Sequence, residues 1–176
     1  ADQATDTPTN NFCTMNPLDN YYAAATFSEG NCKVVKGTQG RNAGVTSTMG
    51  VASGKWYVEM TYGGSEGGGS TVNDATVGIT ARTVTDNNHE PGHYADDYVY
   101  KGQTGNYRNN DGYTSYGDTW TTDDIIGVAL NLDDNEIKFY KDNAVQNSGT
   151  GISISATPHT GNYFFSVGNH SNELEP

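Results

Sequence analysis

The chain has 176 residues, 22 of them Gly and 12 Tyr, and its nine Lys and Arg against 21 Asp and Glu leave a formal charge of −12. That length suits one packed domain burying roughly 70% of its unfolded surface, and so acidic a chain forfeits the counterion release that drives nucleic-acid binding. No apolar run approaches a spanning helix and no basic amphipathic stretch occurs, so neither nucleic acid nor membrane insertion is expected.

The opening ADQATDTPTNN, residues 1–11, is polar, contains Pro8, and lacks both an initiator Met and the basic and apolar regions of a signal peptide. It reads as a flexible lead or linker in a processed piece of something longer, with the domain running over 12–176. Cys13 and Cys32 suffice for one bridge between strand-like stretches at 12–15 and 32–35, worth about 3 kcal/mol in the chain-entropy model. Two reduced, buried thiols are the alternative.

CKVVKG at 32–37 and SGKWYVEMTY at 53–62 read as strands, the second alternating Trp56, Val58 and Met60 with Tyr57, Glu59 and Thr61. GGSEGGGSTVND at 63–74 predicts a flexible hairpin loop, and ATVGIT at 75–80 another strand. Polar residues and Gly dominate from 86 to 119, broken by Tyr and by the turn signal NNDG at 109–112. A long, aromatic-studded loop or irregular ribbon is expected there, subdivided by short strands such as DYVYKG at 97–102; structureless stretches of this length are usually functional.

In WTTDDIIGVALNLDDNEIKFYKDN, residues 120–143, Ile126, Val128, Leu130 and Leu132 share one face of a strand. DDNE turns, and Ile137 and Phe139 continue the apolar face on the partner, which predicts a core hairpin of a β-sandwich. No segment carries apolar residues at helical spacing over three turns, and no internal repeat occurs, so the fold class is all-β.

HEPGH at 89–93 satisfies the H-E-x-x-H pattern of zinc proteases, but that pattern needs a helix, and Pro91 and Gly92 sit mid-turn. A polar loop with two solvated His and no metal is expected. GGSEG at 63–67 matches G-x-S-x-G without the strand before and helix after that a nucleophile elbow needs. The adjacent carboxylates at Asp96 and Asp97, Asp123 and Asp124, and Asp133 and Asp134 would point to opposite strand faces and cannot flank one scissile bond. No calcium loop of the Asp-x-Asp-x-Asp-Gly type is present. The candidates that are left are loop residues Tyr94, Tyr98, Tyr100, Tyr107, Arg108, Asn110, Tyr113 and Tyr116. Tyr and Asn with an occasional Arg make rigid amphipathic contacts plus adaptable hydrogen bonds, the chemistry of paratopes and sugar-stacking sites. About half of these Tyr are expected to fill sandwich edges instead.

SGKWYVEMTY, ATVGIT, residues 116–143 and YFFSVG at 163–168, in this order and spacing, resemble the SPRY family, a concanavalin-like jelly roll of two antiparallel sheets, over residues 16–168. DTPTNNFCTMNPLDN, residues 6–20, further resembles the entry segment of SPRY modules in bacteriophage tail, fibre or capsid-associated proteins. The resemblance implies a non-catalytic module without a cofactor, binding through variable loops. Its expected place is a virion surface or the extracellular space, in an oligomeric assembly with other virion proteins, a glycan or a host receptor as partner. SPRY domains usually close with a further strand after the YFFSVG position, where this chain runs through NHSNELEP. An open edge there, completed by a neighbouring chain or by residues beyond Pro176, is therefore expected. The alternatives are a carbohydrate-binding module of a secreted bacterial protein and a polysaccharide-cleaving concanavalin-like enzyme, against which the missing E-x-D-x-x-E motif counts.

Overall fold

A computed structural model of the chain describes residues 12–19, 25–36, 43–64, 75–83 and 89–169. The lead at 1–11, the Gly-rich run from 65 to 74 and residues 170–176 lie outside them.

The strands are β1 (Ala25–Ser28), β2 (Lys33–Lys36), β3 (Ala43–Val51), β4 (Lys55–Thr61), β5 (Ala75–Thr80), β6 (Tyr98–Lys101), β7 (Asn106–Asn109), β8 (Gly112–Ser115), β9 (Ile125–Asn131), β10 (Glu136–Lys141), β11 (Ala144–Val145), β12 (Ile152–Ser153) and β13 (Tyr163–Asn169). They form two large antiparallel sheets: β11-β10-β9-β4 with β12 beside β10, and β3-β13-β5-β6-β7-β8. The β1–β2 hairpin is a small sheet of its own.

The β9–β10 hairpin carries the register its alternation predicts. Leu130 lies opposite Ile137 and Val128 opposite Phe139, and all four are buried. Trp56, Val58 and Met60 of β4 stand opposite Leu130, Val128 and Ile126, which puts them on the same inner face. Across the sandwich that face meets Val77, Ile79, Tyr98, Tyr100 and Phe165 of the six-stranded sheet, forming one apolar core.

Among the described residues of the stretch at 86–119, β6 lies where DYVYKG predicts a short strand, and β7 and β8 flank the NNDG turn, so the expected loop is corrected to a three-stranded ribbon. β13 pairs with β3 on one side and β5 on the other, so it is not itself a sheet edge, and the stretch after it, on which the expected open edge turns, lies outside the described residues. The outer margin of β3 is itself covered near Ser47, where Asn16 N–H donates to Thr46 C=O at 2.8 Å and Thr48 N–H to Thr14 C=O at 2.7 Å.

The proposed bridge is corrected as well. Met15 N–H donates to Asn31 C=O at 3.0 Å, so the two segments do lie together, but this bond sets Met15 rather than Cys13 abreast of the turn before β2. Cys13 and Cys32 are free thiols, and exposed rather than buried.

Every residue of β5 is buried, because one face meets the core and residues 89–97 cover the other. A side chain at Gly168 would strike Pro91, and one at Gly78 would strike the Tyr98 carbonyl oxygen and reach Val99 Cα at 2.7 Å. Gly78→Ala therefore forces β5 and β6 apart, and a loss of about 1–3 kcal/mol in urea unfolding is expected.

Candidate functional site

The segment 89–97 packs over the outer face of the six-stranded sheet, where Val99, Arg108 and Tyr113 stand side by side across β6, β7 and β8. Its backbone is irregular, so its polar groups need dedicated partners. Asp97 serves two of them, its carboxylate accepting from the N–H groups of Gly92 and Tyr94, each at 3.1 Å, and it ties the segment to β5 by accepting from the Thr80 hydroxyl. Burial raises the Asp97 pKa despite these bonds, so its ionised form is held at some cost. Asp96 accepts from Arg82 at 3.0 and 3.2 Å and from His159 N–H at 2.8 Å.

Glu90 is the deepest charge in the segment, 1% exposed, and its carboxylate accepts from the Arg108 guanidinium. Arg108 reaches on to Asp111 at 2.6 Å, and Asp111 meets His93 Nδ1 at 2.7 Å. HEPGH is thus a structural staple rather than a metalloprotease helix. Gly92 has a φ of +98°, outside any helix, and a Cβ there would press on Arg108 Cγ at 2.9 Å. The two His are also not freely solvated, as the loop reading expected, because their rings stack with centroids 3.5 Å apart.

The β7–β8 turn is the NNDG hairpin, with positive φ at Asn110 and Asp111, as a two-residue primed turn requires. It is sewn to the segment by Asn110 N–H to Tyr94 C=O and Asp111 N–H to Gly92 C=O, each at 3.1 Å. The Asn109 side chain adds donations to the carbonyls of Ala95 at 2.8 Å and Asp97 at 2.7 Å.

The eight candidate residues therefore divide. Tyr98, Tyr100 and Tyr116 are core residues whose hydroxyls meet backbone groups of Ser155, Asp118 and Phe139, and Tyr107 packs edge-on against Tyr116. Arg108 is buried as a scaffold. Tyr98, Tyr100 and Tyr116 are enclosed in the core and Tyr107 packs partly buried against it, in keeping with the expectation that about half of these Tyr fill the sandwich. Arg108, on the outer face, is corrected from a ligand contact to a support. Tyr94, Asn110 and Tyr113 remain at the surface and come together around the Arg108–Asp111–His93 cluster. Arg82 lies 4.2 Å above the Tyr94 ring, and Tyr113, half-exposed, has Arg108 at 5.4 Å and Lys101 at 5.7 Å from its ring centre. Sequence reasoning missed Glu90, Asp96, Asp97 and Asn109 as the groups that position this surface. The readable signal was a cluster of carboxylates beside Pro and Gly in a stretch with few apolar residues.

Burial works against the Asp111 carboxylate, but the hydrogen bond from His93 and the charges of His93 and Arg108 hold its pKa below the ordinary 3.8. Its contribution is then fully present above that value and lost as pH falls through the lower folded value. Thermal scans below pH 5 should show this acid loss in the parent protein and a shallower slope in Asp111→Asn.

The SPRY domain family model matches residues 55–173. The fold is similar to the crystal structure of the SPRY domain of human HERC1, at 19% identity and a TM-score of 0.67, over 90% of this chain and 91% of that one. It is also similar to a second human SPRY domain, at 18% identity and a TM-score of 0.64, over 87% of this chain and 98% of the other. No curated protein sequence matches the chain. With the family model spanning well over half of its length, and both sheets in place, the chain belongs to the SPRY domain family.

Proposed function

We propose that this chain is a non-catalytic protein-binding module whose contact surface is the platform formed by residues 89–97 and the β7–β8 turn. SPRY domains are generally protein-interaction modules of this kind. The observation that carries the reading is the convergence of Tyr94, Asn110 and Tyr113 on a rigid, buried ion-pair scaffold. Preorganised aromatic and amide side chains lose little entropy on binding, and Tyr is a favoured hot-spot residue. Asp96 and Asp97 hold backbone N–H groups and Glu90 holds Arg108, roles that support a binding scaffold.

The finer placement, a tail fibre, capsid decoration or adhesin segment of a bacteriophage particle that binds a host-surface or partner protein, is supported by the resemblance of residues 6–20 to phage SPRY entry segments. Peptide mass spectrometry of purified virions should then recover this chain; its recovery only from host fractions would refute the placement.

The binding surface is tested by affinity capture with the parent protein, Tyr113→Ala, Asn110→Ala and, as a control on another face, Val145→Ala, exposed on β11. One protein retained by the parent and the control, and bound about tenfold more weakly by the two platform variants at unchanged Tm, is the expected result.

A further inference from the structure

β4 is the margin of its sheet, pairing with β9 alone among the described residues. Its register shows which backbone groups turn outward. Tyr62 N–H donates to Asp124 C=O at 3.1 Å and Leu132 N–H to Gly54 C=O at 2.9 Å, so the even-numbered residues from 54 to 62 face β9. Bonding direction alternates along an antiparallel strand, and the N–H and C=O groups of Tyr57, Glu59 and Thr61 therefore point away from the sheet.

Beside that margin lies a cavity of about 640 Å³, within the range of ligand sites. One wall is β4 and its continuation, from Val58 to Gly64; the facing wall is the β1–β2 hairpin, through Lys33, Val34 and Val35. Its floor is apolar, with Val45, Val77 and Phe165 of the six-stranded sheet. The described strands join the hairpin to neither large sheet, so the cavity separates two sheet margins. Its side-chain charges are the carboxylates of Glu29 and Glu59 and the ammonium of Lys33, in a chain of net charge −12.

We propose that this groove takes an extended segment of a partner protein as an added strand on β4. A row of outward donors and acceptors at every second residue is satisfied by another strand and by few other shapes. Alternate side chains of that segment, those abreast of Val58 and Met60, enter the cavity and are apolar. Those abreast of Glu59 carry Lys or Arg, because an acidic segment would meet like charge both at Glu59 and from the domain as a whole. This site shares no residue with the platform of Tyr94, Asn110 and Tyr113, and either stands without the other.

The probe is a capped nine-residue peptide alternating Val with Lys, titrated while following tryptophan fluorescence, since Trp120 lines the cavity. Saturable binding is expected, weakened about tenfold by Glu59→Lys and unaffected by Tyr113→Ala. N-methylation of the peptide at alternate residues should abolish binding in one register and spare it in the other. Thr61→Pro, which removes an outward N–H without touching the β9 ladder, should also abolish it; should that variant unfold, the methylation series and Glu59→Lys decide. Equal binding of the corresponding Glu peptide, insensitivity to methylation register, or no binding at about 1 mM would each overturn the proposal.

Discussion

Replacing Arg108 with Met destabilises the domain by about 3–5 kcal/mol, the usual cost of removing one partner from a buried ion pair. The side chain of Glu90 has no exposed surface and that of Arg108 is 11% exposed, so the lost guanidinium is not replaced by water. The same change releases Asp111, and with it the turn that holds Tyr113. A second substitution separates charge from shape. In Glu90→Met with Arg108→Met neither charge is buried, and the double variant should recover much of the loss while residues 89–97 stay less ordered. Urea unfolding of the three proteins gives the stabilities, and proteolytic nicking within 89–97 reports the order. A single variant as stable as the parent would show that the pair does not anchor the segment.

Leu130→Ala and Phe139→Ala are each expected to cost about 2–5 kcal/mol, as large-to-small changes in a packed core do. Leu130 is 1% exposed and Phe139 fully buried, on adjoining strands of one sheet. Phe139 also touches Tyr100 and Tyr116, with ring centres 5.3 and 5.6 Å away, so its loss opens a cavity between the sheets that these rings cannot refill. The expected readout is a lower urea midpoint at unchanged m-value. A shift below about 0.5 kcal/mol would be a surface-type effect and would place these side chains outside the core.

The β9–β10 hairpin was legible because one of its faces is buried and the other is not, which writes a period of two into the residues themselves. In the region from 86 to 119 only β6 was legible, from DYVYKG, although burial on both sides leaves its YVYK without alternation; β7 and β8 went unread, and β8, exposed along its whole length, shows no alternation either. β3 went unread because AGVTSTMGV mixes small and polar residues that suit a tightly paired strand but carry no apolar stripe.

The candidate site was legible in part. NNDG marks its own turn, and Tyr94, Asn110 and Tyr113 reach the surface as a loop reading expects. Nothing local distinguishes Tyr113 from Tyr100, however, because burial of a tyrosine depends on which distant backbone group meets its hydroxyl. The Glu90–Arg108 pair likewise joins residues from separate elements, and it is set by the packing of residues 89–97 on the sheet rather than by spacing along the chain.

Amide hydrogen exchange of the domain, free and bound to the protein it captures, tests the platform most directly. Residues 89–97 and 109–113 should exchange more slowly in the complex. Protection confined to other surfaces, such as the β9–β10 hairpin, with 89–97 and 109–113 unchanged, would contradict the assignment of this platform as the binding site.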